Sequence, residues 1–157
     1  KTIKMMRVHG QNKRYHHKYI GMGGRLDTIQ AAILLAKLPH YPQELADRQQ
    51  VAQRYTDTLS DRLQMPVIRS NRSSAWAQYT VRVNNRDALQ AKLKDNGIPT
   101  AVHYPMPLHL QECFKYLNCK QGDFPISEKA SNEVMSLPMN PFLAEEEVQY
   151  ISKMLNI

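Results

Sequence analysis

The spacing of apolar residues changes from a helical period to a period of two at Ala75. Before this position, two stretches carry apolar residues three and four positions apart, which is typical of amphipathic helices. From Ala75 to Val83 every second residue is apolar, which predicts a half-buried strand. Helical stretches then alternate with further short strands. Because short strands need partners, we expect an α/β or α+β fold in which helices pack on one small sheet.

Capping residues indicate where the helices begin and end. Asp27 and Gln30 have the spacing of a capping box at the start of one helix. Asn85 precedes another helix, and Gly97 stands where a helix commonly ends. Glutamates at positions 145–147 suit the positive end of the last helix.

The same patterns predict the environment of individual side chains. We expect a helix from about Pro42 to Asp61, with Arg48 on its solvent-facing side. Trp76 falls on the polar face of the predicted strand. Cys113 is expected in the core, on a short helix.

The net charge of +7 comes entirely from residues 1–25, which we expect to be irregular after an initial helical segment. Seven basic residues precede the first acidic one, and the other 14 basic residues balance the 14 acidic ones. A basic arm is typical of nucleic-acid binding, but it equally suits phosphate or carboxylate ligands. Because aromatic residues are sparse and no recognition-helix pattern follows, nucleic acid is not the expected partner.

Two segments are candidate ligand sites. Residues 21–24 are rich in glycine but lack the spacing of a P-loop or a Rossmann fingerprint. Their amides, Arg25 and the start of the next helix still offer a generic anion site. The turn containing His103 and Tyr104 follows a predicted strand at residues 98–102 and presents two polar rings. The alternative is a structural histidine beside a packed tyrosine.

Neither the cysteines nor the histidines predict a metal site. The gaps separating His103, His109, Cys113 and Cys119 are five, three and five residues, unlike the tight pairs of zinc modules. The chain has no C-x-x-C motif, which fits a reducing cytoplasm. No apolar run approaches the length of a membrane span.

Short motifs occur along the whole chain. They are Arg7-Val8-His9-Gly10-Gln11, Arg14-Tyr15-His16-His17, Gly21-Met22-Gly23-Gly24-Arg25-Leu26-Asp27, His103-Tyr104-Pro105 and Ser136-Leu137-Pro138-Met139. In this order and at this spacing, they resemble the DegT-type sugar aminotransferases. Within that family the chain is most similar to the subgroup that aminates UDP-2-acetamido-2-deoxy-3-oxo-glucuronate in surface polysaccharide synthesis.

The resemblance implies a fold-type I enzyme that depends on pyridoxal 5'-phosphate and works as a cytoplasmic homodimer with shared active sites. Residues 1–25 would end its large cofactor domain, and residues 26–157 would form the small C-terminal domain. The expected substrates are a 3-keto UDP-sugar and glutamate, in lipopolysaccharide or O-antigen synthesis. In such proteins the Schiff-base lysine precedes residue 1, so this chain alone holds no catalytic residue and is expected to be inactive.

The resemblance also implies roles for individual residues. Arg25 matches an arginine that reaches the substrate of the other subunit, while His103 and Tyr104 match a pair that contacts the sugar nucleotide. Many members have an asparagine at the position of Gly23 that touches the cofactor phosphate across the dimer. Glycine offers only its backbone N–H there.

Two other functions stay open. One is a non-catalytic domain that binds anions or nucleic acid through the basic arm. The other is a family relative that replaces the lysine with histidine and acts as a dehydratase.

Overall fold

Residues 1–59 and 63–155 are described by the structure, a computed structural model. They fall into two units, Lys1–Tyr41 and Pro42–Ile157. Within the described residues, no helix combines the length and apolar character that crossing a membrane requires. The predicted helix end at Asp61 lies outside the described residues.

The first unit contains a small hairpin that the sequence did not reveal. After α1 (Thr2–Met6), β1 (Gln11–Lys13) pairs antiparallel with β2 (His16–His17). The prediction that this stretch is irregular is therefore wrong, because such short strands carry too few residues to show a period of two. The chain segments on either side of the hairpin also lie close together. Gly10 precedes β1 and Tyr19 follows β2, and a Cβ on Gly10 would overlap the carbonyl of Tyr19.

The helix predicted after Asp27 is α2 (Thr28–Lys37). The Asp27 N–H donates to Gln30 Oε1 at 3.2 Å, which confirms the capping-box pairing. A 3-10 turn, Leu38–His40, follows and contains the proline expected to end the helix. No residue of α2 is buried, although its sequence is rich in isoleucine and leucine.

The second unit alternates helices with two strands. Its elements are α3 (Tyr41–Thr58, whose first residue belongs to the first unit), β3 (Tyr79–Arg82), α4 (Arg86–Asp95), 3-10 helices at Leu108–Leu110 and Glu112–Leu117, α5 (Pro125–Glu133), β4 (Val134–Leu137) and α6 (Glu145–Leu155). β3 and β4 pair antiparallel, with Tyr79 opposite Leu137 and Val81 opposite Met135. These four side chains are buried, so one face of this two-stranded sheet lies in the core.

Helices contribute the rest of that core. Fully burying one such side chain stabilises the fold by about 1.5–3 kcal/mol. The buried residues of the helices are Val51, Ala52 and Tyr55 on α3, Leu93 on α4, and Val148, Ile151 and Leu155 on α6.

The strand is shorter than the predicted span of residues 75–83. Trp76 has φ +47°, a left-handed conformation that interrupts the extended backbone before β3. Its side chain is buried rather than on a polar face, and its Nε1 donates to Gln49 Oε1 at 2.8 Å. The prediction for Trp76 is wrong because alternation holds only while the backbone stays extended.

Two further side-chain predictions are corrected. Arg48 is half-buried instead of solvated, and its guanidinium donates to the carbonyl oxygen of Trp76 at 3.0 Å. Cys113 is exposed instead of buried, because its segment is a 3-10 helix without buried residues.

The predicted helix ends of the second unit are largely confirmed. Gly97 has φ +74°, and the N–H of Ile98 donates to the carbonyl oxygen of Leu93 at 2.9 Å, as in a glycine-closed helix end. Asn85 is the residue before α4, but its side chain makes no capping hydrogen bond.

Tyr55→Phe should destabilise the chain by about 1 kcal/mol at neutral pH, because the Tyr55 hydroxyl donates to the carbonyl oxygen of Pro138 at 2.9 Å. Burial raises the pKa of the Tyr55 phenol, and Glu147 adds to the rise. The unfolded phenol therefore ionises first, and the free energy of unfolding falls as the pH rises above about 10.

Urea unfolding from pH 7 to 11 measures both effects, and Tyr55→Phe should lose less stability above pH 10 than the parent. Tyr116→Phe, whose parent side chain is 72% exposed, is the matched control. If the free energy of unfolding falls equally steeply above pH 10 in the parent and in Tyr55→Phe, the buried Tyr55 phenol is not the cause of the loss.

Candidate functional site

The turn that carries His103 and Tyr104 starts at the sheet. Ala101 and Ser136 of β4 exchange backbone hydrogen bonds, with N···O distances of 3.2 and 2.7 Å. The strand predicted at residues 98–102 is reduced to this single bridge at Ala101. The sheet thus fixes the chain two residues before His103.

His103 and Tyr104 present their rings to solvent. The ring centroids are 5.8 Å apart in an edge-on arrangement, and Tyr104 is 75% exposed. Neither side chain has a polar partner within the described part of the chain, so the Tyr104 hydroxyl and the His103 nitrogens are available to a ligand. The structure therefore brings these two predicted residues together on an exposed turn.

The turn also lines a cavity of about 750 Å³. Most of the cavity wall is apolar or aromatic. Besides the turn, the wall includes Phe114, Leu117, Phe124, Ala130 and Val134. The cavity therefore presents a mainly apolar surface beside the polar rings of the turn.

Downstream of the turn, His109 and Glu128 of α5 form a nearly buried pair. His109 Nε2 lies 3.0 Å from Glu128 Oε1, and their side chains are 9% and 15% exposed. Partial burial by itself would raise the pKa of Glu128, but hydrogen bonds from the Gly122 N–H, His109 and the Phe124 N–H outweigh it and lower the pKa. The pair is therefore a carboxylate held ionised beside a histidine that donates to it.

Gly23 lies in the first unit, opposite Val8 in an isolated antiparallel bridge. The hydrogen bonds are made by the residues flanking this pair, so the Gly23 N–H points away from Val8. A Cβ on Gly23 would come within 3.2 Å of His9 Cε1, which places the His9 ring beside the glycine. The His9 carbonyl oxygen accepts a hydrogen bond from His17 Nδ1 at 2.7 Å.

Arg25 is exposed and has no hydrogen bond or ion pair with any described residue. It belongs to the first unit together with Gly23, whereas His103 and Tyr104 belong to the second. In the described residues, no group of three or more histidine, cysteine or acidic side chains is arranged to hold a metal ion.

The sequence analysis did not identify three residues that lie near the candidate site residues. His9 lies beside Gly23, and His109 pairs with Glu128 downstream of the turn. His109 and Glu128 are 19 residues apart, and no local spacing indicates that they pair. His9 belongs to a motif of the sequence, but its position beside Gly23 depends on a bridge between two extended segments.

Comparisons with known proteins agree on one family. Residues 1–156 match the DegT/DnrJ/EryC1/StrS aminotransferase family. The UDP-2-acetamido-2-deoxy-3-oxo-D-glucuronate aminotransferase of Pseudomonas aeruginosa is 46% identical over 151 residues, which cover 96% of this chain and 41% of that protein.

Solved structures share the fold. A DegT/DnrJ/EryC1/StrS aminotransferase from Brucella abortus matches with a TM-score of 0.85 and 38% identity, and DesV from Streptomyces venezuelae matches with 0.87 and 30%. Each match covers 98% of this chain and 42% of the other. The α/β prediction, with helices packed on a small sheet, is confirmed. The chain spans about two fifths of the length of these proteins and belongs to the DegT/DnrJ/EryC1/StrS aminotransferase family.

Proposed function

We propose that this chain is the substrate-binding C-terminal part of a sugar-nucleotide aminotransferase that uses pyridoxal 5'-phosphate. The exposed His103–Tyr104 pair on a turn anchored to the sheet carries the proposal. The substrate is a 3-keto UDP-sugar, a uronate by analogy with the Pseudomonas enzyme, and glutamate is the amino donor. The product serves surface polysaccharide synthesis, such as lipopolysaccharide O-antigen, in the cytoplasm.

The residues of the first unit fit the phosphate group of the cofactor. The Gly23 N–H points away from its bridge partner, and the segment is exposed and basic, so a phosphate oxygen can accept a hydrogen bond there. When bound, pyridoxal phosphate carries the amino group from donor to acceptor. We assign most of its contacts, and the Schiff-base lysine, to a part of the enzyme outside residues 1–157, so these residues alone are inactive.

Arg25, His103 and Tyr104 are the proposed substrate contacts. A guanidinium pairs with two oxygens at once, which suits a uronate carboxylate or a diphosphate. The hydroxyl of Tyr104 and the ring nitrogens of His103 orient the sugar by hydrogen bonds, and their lack of described protein partners supports this role.

The full-length enzyme is proposed to be a homodimer with shared active sites. Residues 1–25 end its large domain and residues 26–157 form its small domain. In this arrangement Arg25 reaches the site of the partner subunit, while His103 and Tyr104 contact the sugar nucleotide.

The visible absorbance of the full-length protein tests the reaction class. Bound cofactor should give a visible band that falls when glutamate is added and returns when a 3-keto UDP-sugar follows, because the amino group passes from one to the other. A protein that shows no band when the cofactor is supplied would contradict the proposal. A steep salt dependence of DNA binding, without a response to UDP, would then favour a nucleic-acid-binding domain.

Arg25→Ala in the full-length enzyme should raise the KM for the sugar nucleotide. Losing a charge-assisted hydrogen bond costs about 1.5–3 kcal/mol, which corresponds to roughly 10- to 150-fold. The KM for glutamate should change little, and Arg25→Lys should recover part of the loss. Lys13→Ala, an exposed basic residue of β1, controls for charge. Unchanged kinetics of Arg25→Ala would remove Arg25 from the site.

Tyr104→Phe should raise the same KM by about 2- to 10-fold, because a neutral hydrogen bond contributes about 0.5–1.5 kcal/mol. The rate with glutamate alone, followed by absorbance, should stay at the parental value. Tyr116→Phe again serves as control, since Tyr116 is similarly exposed. If Tyr104→Phe and His103→Ala both bind the sugar nucleotide normally, the turn is not the substrate site.

A further inference from the structure

Glu128 is the centre of a hydrogen-bonded cluster below the turn. Its carboxylate accepts from His109 Nε2 at 3.0 Å, from the Gly122 N–H at 2.8 and 3.0 Å, and from the Phe124 N–H at 3.3 Å. We call Glu128 and these three partners the Glu128 clasp. The clasp joins the 3-10 helix at Leu108–Leu110, the loop before α5, and α5 itself.

The clasp fixes the position of the His109 ring. A carboxylate that is only 15% exposed needs its hydrogen bonds, because leaving them unmade costs the desolvation of a charged group. The His109 ring is also packed at 4.8 Å from the Phe124 ring, centroid to centroid. The His109 ring is therefore held both by its hydrogen bond to Glu128 and by its packing against Phe124.

His109 stands immediately after the turn that presents His103 and Tyr104. Between them, Pro105 and Pro107 restrict the backbone, and the Leu110 N–H donates to the Pro107 carbonyl oxygen at 3.1 Å. On the other side, the bridge of Ala101 and Ser136 holds the turn to β4. The turn is thus anchored to the sheet before His103 and to the clasp after Pro107.

Few side-chain contacts hold the residues of the turn in place. The rings of His103 and Tyr104 are exposed and meet each other edge-on, and neither side chain has a hydrogen bond or ion pair with a described residue. Their placement depends on the two ends of the turn, and the clasp supplies the downstream end.

We propose that His109 and Glu128 are positioning residues for the sugar nucleotide, which hold residues 103–107 in the conformation that meets the substrate. This inference rests on the function proposed above, in which His103 and Tyr104 contact that substrate. Glu128 acts on the turn through its hydrogen bonds, and the His109 ring that it holds lines the cavity beside His103 and Tyr104.

Hydrogen exchange on this chain tests the anchoring directly. Glu128→Ala should speed exchange of the Leu110 and Gln111 amides by about tenfold or more, because these N–H groups donate to the carbonyl oxygens of Pro107 and Leu108 at the downstream end of the turn. The β3–β4 amides should keep the parental rates, because only the downstream anchor is lost. Glu128→Gln keeps a neutral acceptor of the same shape and should have a smaller effect. Glu112→Ala is the matched control, since it removes the same charge from a neighbouring segment where the side chain is 90% exposed.

Kinetics of the full-length enzyme test the consequence. Glu128→Ala should raise the KM for the sugar nucleotide by about tenfold, with the KM for glutamate and the rate of the glutamate half-reaction unchanged. A merely destabilising substitution would not separate the two substrates in this way. If Glu128→Ala fails to fold, His109→Ala, which leaves the backbone contacts of Glu128 in place, should show the same separation.

Two results would overturn the proposal. Parental exchange rates of the Leu110 and Gln111 amides in Glu128→Ala would mean that the clasp does not hold the downstream end of the turn. Faster exchange with an unchanged KM would mean that the substrate does not need the anchored turn. The variants of His103 and Tyr104 separate this failure from a failure of the proposed function: if they raise the KM and Glu128→Ala does not, only the positioning role is wrong.

Discussion

The pairing of β3 with β4 is the interaction on which the second unit depends. It sets Tyr79 and Val81 opposite Leu137 and Met135. These buried side chains form one hydrophobic core with the buried residues of α3, α4 and α6. A two-stranded ribbon is marginally stable alone, so the helices stabilise the strands that organise them. The same ladder places Ser136 where it bridges to Ala101, so the core strand also determines where the candidate site begins.

Hydrogen bonds of buried and nearly buried polar side chains fix the segments that connect the helices and strands. The buried guanidinium of Arg86 donates to the carbonyl oxygens of Ser131 and Val134 and thereby ties the start of α4 to the junction of α5 and β4. Glu128 has a similar role near the start of α5, where it accepts hydrogen bonds from loop amides and from His109. Because an unpaired polar group in such a place is costly, these contacts specify a loop geometry that apolar packing would leave undefined.

The first unit has a different character. Its hairpin and the Val8–Gly23 bridge are held by backbone hydrogen bonds, and its basic residues and the apolar residues of α2 are exposed. A surface that is both basic and apolar has features of anion binding and of packing against another surface.

The sequence by itself determined the order of helices, the capping box of α2, the glycine that ends α4 and the fold class, because these depend on local periodicity and backbone preference. Its motifs also placed His103 and Tyr104 on one turn. Only the tertiary structure decided that Trp76 is buried, that Arg48 is half-buried and that Cys113 is exposed. It alone paired His109 with Glu128 and placed His9 beside Gly23. Such contacts join residues far apart in the chain, and their energy depends on desolvation and geometry that no local pattern of residues encodes.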